Sequence, residues 1–297
     1  MTNPMTGGVT NSAMSSVTSS EGTSVSIPLA QRLAQAGLDW IVPDWDAPSA
    51  VQALATTRNG GVSVGARASL DLGGAMLPHD AERAAVLENR NRLACFLPSL
   101  PIWLAQVHAA DVALIDGANV MAFTSPPVAD AAVTRVRGIV LGVRTADCLP
   151  VLFADRAGTV VGAAHAGWRG LAAGVLEATV REMRVPPRDI VAWLGPAIGP
   201  RRFEVGRDVV DAFSGTDSSA AAFFAPLRDG KWLAANREEK WLADLYGYAR
   251  HRLEREGVTA VAGGGYCTMS EADRFFSYRR DKDAGRMATL IWLAQAT

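Results

Sequence analysis

The order of apolar and polar positions divides the chain into short strands and helices. Apolar, β-branched runs bounded by turn residues predict strands, and apolar positions that repeat every three or four residues predict helices. The predicted strands are 51–57, 138–144, 149–154, 159–164, 190–194, 258–261 and 289–293. The predicted helices are 80–96, 170–183 and 240–256.

Cap and turn residues support several of these boundaries. We expect Asp80 to cap the first helix and Gly257 to close the last one. The turn at 156–158 joins two predicted strands into a hairpin. Residues 220–236 are poorly patterned, so we expect them to form a surface excursion.

Hairpins that alternate with helices predict an α+β fold. Its sheets would be mixed and its helices would pack outside them, unlike a doubly wound parallel sheet. With 49% hydrophobic residues, the chain can bury either one broad domain or two fused halves. Residues 1–26 are rich in Ser, Thr and Gly and lack aromatic anchors, so we expect a disordered tail.

Composition excludes several classes of protein. A net charge of -1 provides no overall field for binding nucleic acid or an anionic membrane. No apolar run approaches the ~20 residues that a membrane span needs, and the N-terminus does not resemble a secretory signal. Three widely spaced cysteines argue against a disulfide framework, which favours a cytoplasmic protein.

Three residues carry most of the candidate chemistry: His108, Cys148 and His165. A thiolate and two neutral imidazoles suit a zinc ion and leave a fourth coordination position open for water or substrate, as in catalytic sites. Their spacing is unlike that of zinc fingers, so tertiary folding must bring them together. Cys148 lies between two predicted strands and His165 just past a strand end, where working side chains are often found.

The same residues also suit a reaction without metal, in which Cys148 is a nucleophile and His108 or His165 is its base. Asp147 has two possible roles: it accepts an imidazole N–H and fixes the tautomer of a ligand, or it caps the turn. We expect structural roles for the remaining histidines and cysteines, which are His79, His251, Cys95 and Cys267.

Arginines recur in glycine-bearing turns and could bind an anion. Arg58 and Asn59 precede Gly60-Gly61, and Arg169 begins a predicted helix, whose N–H groups and dipole favour anions. Arg279 and Arg280 follow two phenylalanines. Guanidinium groups suit phosphate or carboxylate. Alternatively, these arginines hold loops together through nearby carboxylates, namely Asp147, Asp281 and Glu204.

Seven segments resemble the YfiH family, whose members have been called polyphenol oxidases or laccase-domain proteins and, more recently, purine nucleoside phosphorylases. The resemblance extends from about residue 51 to residue 293. The segments that carry it are 56–63, 106–108, 145–150, 164–170, 193–199, 203–206 and 275–281. One loop differs, because Asp71-Leu72-Gly73 begins a run where the family usually has Asn-Leu-Gly. If that loop shapes the substrate entrance, this change affects substrate preference.

The resemblance implies a layered α/β/β/α sandwich with mixed β-sheets, of the kind grouped with bacterial toxin-like cysteine hydrolases, as a single catalytic domain over 27–297. It also implies Zn²⁺ at His108, Cys148 and His165. The implied activity is phosphorolysis of adenosine, inosine, guanosine and methylthioadenosine, with adenosine deamination as a side activity. The partners would then be a purine nucleoside and phosphate, with Arg58 and Arg169 holding the phosphate.

Three alternatives remain open. The family has also been linked to a hydrolase that removes L-Ser from peptidoglycan precursors, and to a Cu²⁺-dependent polyphenol oxidoreductase. Four histidines in the whole chain are too few for the copper centres of a multicopper oxidase, so we expect zinc rather than copper. A protein that binds a partner without catalysis is the third alternative.

Overall fold

The computed structural model describes residues 27–73, 79–118, 125–227 and 239–295. The helices in these ranges are α1 (Leu29–Gln35), α2 (Asp80–Ala94), α3 (Trp168–Ala173), α4 (Val175–Met183), α5 (Arg207–Ser214), α6 (Leu245–Arg255) and α7 (Tyr278–Asp281). The strands are β1 (Val51–Ala55), β2 (Ile102–Trp103), β3 (Val112–Ile115), β4 (Ala131–Thr134), β5 (Val140–Thr145), β6 (Leu149–Asp155), β7 (Val161–Ala166), β8 (Ile190–Leu194), β9 (Glu204–Val205), β10 (Phe224–Pro226), β11 (Trp241–Ala243), β12 (Ala260–Gly263) and β13 (Met287–Leu293).

These strands form two large mixed sheets and one small antiparallel sheet. The six-stranded sheet has the order β12-β8-β6-β7-β4-β3, with parallel pairs at both edges and antiparallel pairs in the middle. The four-stranded sheet has the order β1-β13-β5-β2, and its β2–β5 pair is parallel. The small sheet has the order β10-β11-β9. The predicted α+β fold with mixed sheets, including the hairpin β6–β7, is confirmed.

Apolar side chains fill the spaces between these layers. One cluster takes residues from both large sheets, such as Leu141 and Ile291 from the smaller and Leu152 and Val161 from the larger. A second cluster joins the other face of the six-stranded sheet to α4 and α6. A third joins the other face of the four-stranded sheet to α1 and α2. Helices therefore cover the outer faces of both sheets. No helix in the described ranges is long and apolar enough to cross a bilayer.

Two predicted helices have different bounds in the structure. The helix predicted over 170–183 is α3 followed by α4, because Gly174 between them has a φ of 93°, a left-handed conformation that ends a helix. The helix predicted over 240–256 begins only at Leu245. Asp244 caps it by accepting a hydrogen bond from the Gly247 N–H, and the residues before it form β11.

Other local expectations need correction or lie outside the described residues. Asp80 is the first residue of α2 and pairs with Arg83, while His79 occupies the cap position. The excursion predicted over 220–236 is wrong for its first part, because β10 joins the small sheet and Phe224 is buried. Residues 228–236 and the predicted tail 1–26 lie outside the described ranges.

Candidate metal centre

The side chains of His108, Cys148 and His165 converge. Their potential ligand atoms all lie within 4.8 Å of one another. The Cys148 Sγ lies 3.8 Å from the His108 Nε2, and the two imidazole rings meet edge to face with centroids 4.8 Å apart. His165 is buried, Cys148 is half-buried and His108 is exposed, so the cluster opens to solvent on the His108 side.

Three strand ends bring these residues together. His165 is the penultimate residue of β7, inside the strand rather than just past its end as predicted. Cys148 lies in the turn by which the chain passes from β5 in one large sheet to β6 in the other. His108 follows β2 and has a φ of 63°, and Asp147 has a φ of 90°. Such values are uncommon outside glycine and often occur at functional sites.

Asp130, which the sequence did not identify, orients two of the three candidate ligands. Its fully buried carboxylate accepts hydrogen bonds from three successive backbone N–H groups, of Val107, His108 and Ala109, at 2.7–3.1 Å. The Asp130 Oδ1 also lies 2.8 Å from the His165 Nδ1. In the neutral ring that a metal ion requires, this contact places the proton on Nδ1 and leaves Nε2 as the lone-pair donor. Asp130 stands immediately before β4, a strand that the pattern of the sequence did not reveal.

Asp147 does not make the imidazole contact considered for it. Its Oδ1 accepts a hydrogen bond from the Thr268 hydroxyl at 2.6 Å, and its Oδ2 accepts one from the Arg279 backbone N–H at 2.7 Å. The carboxylate therefore fixes the turn that carries Cys148 to the loop at Thr268 and to the first turn of α7. The contact with a candidate ligand belongs to Asp130 instead.

Gly167 leaves the space in front of the cluster open. A Cβ at this position would lie 2.8 Å from the His108 Cδ2, 3.2 Å from the Cys148 Sγ and 3.4 Å from the His165 Cε1. The first of these distances is shorter than van der Waals contact allows. Any larger residue at 167 would displace at least one of the three side chains.

The electrostatics of the cluster favour a thiolate. Burial alone would raise the pKa of the Cys148 thiol, but the charge on His165 and hydrogen bonds with both histidines lower it to about 6. Burial alone would lower the pKa of His165, but Cys148 and Asp130 raise it to about 9. The thiolate that a metal ion or an electrophile requires is thus available at neutral pH.

The donor set fits a borderline-soft divalent metal ion. It comprises one thiolate and two imidazoles, with no carboxylate among the converging atoms. Sulfur and nitrogen ligands of one tetrahedral zinc ion lie about 3.6 Å apart, given the usual bond lengths. The distance of 3.8 Å between Cys148 Sγ and His108 Nε2 is close to that value.

Most of the predicted anion-binding side chains already have partners. The Arg58 guanidinium donates to the Ala68 and Ala272 carbonyls, both at 2.8 Å, and lies over the Phe276 ring. The Asn59 amide donates to Asp39 and to the Asp273 carbonyl. These two side chains hold neighbouring loops together.

Two of the other candidate arginines also have partners, and the third is exposed. The Arg279 Nη1 donates to the Glu204 carbonyl at 2.6 Å, and Arg280 pairs with Asp281. Arg169 is exposed and stacks over the Trp168 ring with 4.2 Å between guanidinium carbon and centroid. Within the described ranges its guanidinium meets no hydrogen-bond acceptor, so it is available to an anion.

The remaining histidines and cysteines lie outside the cluster. His251 lies 2.8 Å from the Ser219 Oγ and 3.2 Å from the Asp217 Oδ2, and His79 precedes α2. Cys95 is exposed on the last turn of that helix. The Cys267 Sγ accepts a hydrogen bond from the Gly199 N–H at 3.3 Å.

The chain is similar to known proteins over most of its length. Residues 52–294 match the family described as multi-copper polyphenol oxidoreductase laccase. Proteins named purine nucleoside phosphorylase from Pseudomonas aeruginosa and Escherichia coli K12, the latter called YfiH, are each 50% identical. The alignments cover 86% and 85% of this chain and 98% of each relative.

Solved structures show the same fold. A Neisseria meningitidis protein superposes with a TM-score of 0.77 at 48% identity, covering 86% of this chain and all of its own. The Bacillus licheniformis protein YfiH superposes with a TM-score of 0.72 at 28% identity, covering 82% of this chain and 92% of its own. The chain belongs to the family of the YfiH proteins, whose family description is multi-copper polyphenol oxidoreductase laccase.

Proposed function

We propose that this protein is a zinc-dependent purine nucleoside phosphorylase. The observation that carries the proposal is the convergence of His108, Cys148 and His165 in a chain half identical to proteins with that name. Its substrates would be phosphate and adenosine, inosine, guanosine or methylthioadenosine. Deamination of adenosine would be a side activity, in which water attacks the purine ring and ammonia leaves.

Each part of the centre has a role in this proposal. A zinc ion bound there would supply Lewis acidity. Asp130 contacts the Nδ1 of His165, which leaves Nε2 as the atom that would bind the ion, and it keeps the backbone of His108 in place. Gly167 leaves room for the nucleoside. Arg169, whose guanidinium lies over the Trp168 ring, provides positive charge for the phosphate.

The test is phosphorolysis of inosine by the purified protein and by His108→Ala and Cys148→Ala. Both variants are expected to lose bound metal and phosphate-dependent release of hypoxanthine together. His79→Ala is the matched control, because this histidine lies outside the cluster, and it is expected to retain both. Full activity in a metal-free variant would rule out the zinc mechanism.

A second candidate is a hydrolase acting on peptidoglycan precursors that contain L-Ser. The observation that favours it is the Cys148 Sγ lying 3.8 Å from the His108 Nε2, with the neighbouring histidines lowering the pKa of the thiol to about 6, an arrangement that also suits a nucleophile and its base. Incubation with UDP-MurNAc-L-Ser, in parallel with inosine plus phosphate, discriminates the two. Release of serine without phosphorolysis would favour the hydrolase.

Several finer features belong to the same proposal. We expect zinc rather than copper, because four histidines in the chain do not suffice for multicopper chemistry. We also propose a cytoplasmic protein with a single catalytic domain over 27–297. The α/β/β/α sandwich grouped with cysteine hydrolases is supported by the apolar clusters on both faces of the two large sheets.

A further inference from the structure

Three arginines that the sequence did not single out surround the loop that contains residues 71–73. Arg144 lies near the end of β5, Arg90 lies on α2, and Arg286 immediately precedes β13. The guanidinium groups of Arg144 and Arg90 both lie over the Trp103 ring, 5.4 and 5.6 Å from its centroid. The two positive charges therefore share one indole as a neighbour.

These guanidinium groups are only partly satisfied. Arg90 donates twice to the Leu72 carbonyl, at 2.9 and 3.1 Å. Arg144 donates to the Leu104 carbonyl at 3.1 Å and, at a long 3.3 Å, to the Gly73 carbonyl. The Arg144 Nε is buried and has no hydrogen-bond partner within the described ranges. A buried charged donor without an acceptor is costly, which makes an external acceptor favourable there.

The nearby carboxylate does not balance this charge. Asp71 is buried, but its Oδ1 accepts hydrogen bonds from the Gly73 and Arg286 backbone N–H groups. Its Oδ2 pairs with Arg67 at 3.3 Å. Burial, together with the charges of Arg90 and Arg286, lowers the pKa of Arg144 to about 10. The surroundings of Arg144 thus carry an excess of positive charge.

We propose that Arg144 and Arg90 form a binding site for a phosphate-class oxyanion. The guanidinium of Arg286 donates to the Ala284 and Gly285 carbonyls, so this residue contributes positive charge nearby and is not a ligand of the anion. A tetrahedral anion offers several acceptor oxygens, which match the fork of a guanidinium group and would satisfy the unpartnered Nε. The site differs from the arginines suggested by the sequence, because the Arg144 Nε has no hydrogen-bond partner within the described ranges, whereas the Arg58 Nε donates to the Ala68 carbonyl.

Hydrogen bonds connect the backbone of Arg144 to the segment that carries His108. The Gln106 side chain exchanges two hydrogen bonds of 2.9 Å with the backbone of Arg144, and Gln106 is two residues before His108. Arg144 itself is four residues before Cys148 on the chain. A phosphate held here would be a substrate for phosphorolysis. That role in turnover rests on the proposed function. Binding of the anion itself does not depend on the proposed function.

The test is calorimetric titration of the full-length, zinc-loaded protein with inorganic phosphate, without nucleoside. Arg144→Met keeps much of the side-chain length and removes the donors. It is expected to weaken phosphate binding at least about tenfold, the affinity equivalent of one charge-assisted hydrogen bond. Arg90→Met provides a second variant should the first fail to fold. Arg137→Met, at an exposed arginine on the turn before β5, is the matched control and is expected to bind as the unaltered protein does.

A parallel titration with adenosine monophosphate distinguishes free phosphate from the phosphoryl group of a nucleotide. Tighter binding of the nucleotide that depends on Arg144 would support the site and assign it to a phosphoryl ligand. Absence of binding by both ligands, or equal affinity in Arg144→Met and Arg90→Met, would overturn it. If the protein binds phosphate through Arg144 but does not catalyse phosphorolysis, only the proposed function is contradicted. If both variants catalyse phosphorolysis with an unchanged KM for phosphate and bind phosphate as the unaltered protein does, only the proposed anion site is contradicted.

Discussion

At the scale of single residues, the candidate metal centre depends on a carboxylate that is not one of its three candidate ligands. Asp130 joins the loop of His108 to the side chain of His165, since one carboxylate accepts from both. Its position explains how two histidines from different elements are held in a fixed relation. The same principle, a carboxylate that orients a ligand imidazole, is general in zinc sites.

Asp130→Asn tests this role. The asparagine amide nitrogen cannot accept the N–H groups that one carboxylate oxygen accepts now, so the His108 loop and His165 lose their common support. We expect zinc affinity, measured by competition with a chelator, to fall roughly 10–100-fold. Asp155→Asn is the control, because Asp155 is equally buried and accepts the Thr159 and Val160 N–H groups. Equal zinc affinity in Asp130→Asn and the unaltered protein would contradict the assignment.

Gly167→Ala tests the space in front of the ligands. The added Cβ would lie 2.8 Å from the His108 Cδ2, so we expect lower zinc occupancy and lower activity with the fold preserved. Circular dichroism and zinc analysis measure the two properties separately. Gly265→Ala is matched, since a Cβ there meets no atom within 4 Å. Unchanged zinc occupancy in Gly167→Ala would show that the three side chains do not converge as described.

The residues that could be predicted from the sequence are those whose chemistry is rare. The candidate ligands His108, Cys148 and His165 stand out because few other side chains can bind a borderline-soft metal ion. Asp130 could not be predicted, since a lone aspartate before an apolar run has many ordinary roles. Arg58 and Arg279 suggested an anion site, but their donors are directed at backbone carbonyls, a contact that no local pattern reveals.

At the scale of elements, α6 is fixed to the loop after α5 by a buried carboxylate. The Asp217 Oδ2 lies 2.9 Å from the Arg255 Nη1 and 3.2 Å from the His251 Nε2, and Ser219 donates to the Oδ1. Burial alone would raise the pKa of Asp217, but the Ser219 hydrogen bonds and the charges of Arg255 and His251 lower it to about 2. The charged form of Asp217 therefore stabilises the folded state.

This network predicts a specific pH dependence of stability. Because the folded-state pKa lies below the ordinary value near 3.9, the stabilisation is complete above about pH 4 and is lost as the pH falls toward 2. The Tm of Asp217→Asn should be lower than that of the unaltered protein at neutral pH, and the gap should close between about pH 4 and 2. Asp211→Asn, which removes an exposed pair with Arg207, should show little gap. A gap independent of pH would refute the network.

Strands bounded by clear turn residues could be predicted, and the short, alanine-rich strand β4 could not. The strand predicted over 190–194 agrees in both bounds with β8, and the hairpin of β6 and β7 was recognised from its turn. The strand β4 has four residues and begins with two alanines, which have low strand propensity, so its pattern did not stand out. The division of 170–183 at Gly174 was missed because a single glycine inside a helical pattern is often tolerated.

At the scale of the whole molecule, the centre lies where the chain passes between two sheets. Cys148 is in the connection from the four-stranded to the six-stranded sheet, and His165 is on β7, which pairs with the strand that follows that connection. His108 follows β2, which pairs with β5 on the other sheet. Mixed sheets could be predicted from the alternation of hairpins and helices, but this meeting of strand ends depends on long-range pairing that no local pattern contains.

The most direct test of the central claim is the metal content of the purified protein. Elemental analysis of the full-length chain is expected to give one zinc ion per chain. His108→Ala and Cys148→Ala are expected to contain far less than one, while His79→Ala retains the full amount. Absence of bound metal from protein prepared with zinc available, or equal zinc in all four proteins, would contradict a metal centre at His108, Cys148 and His165.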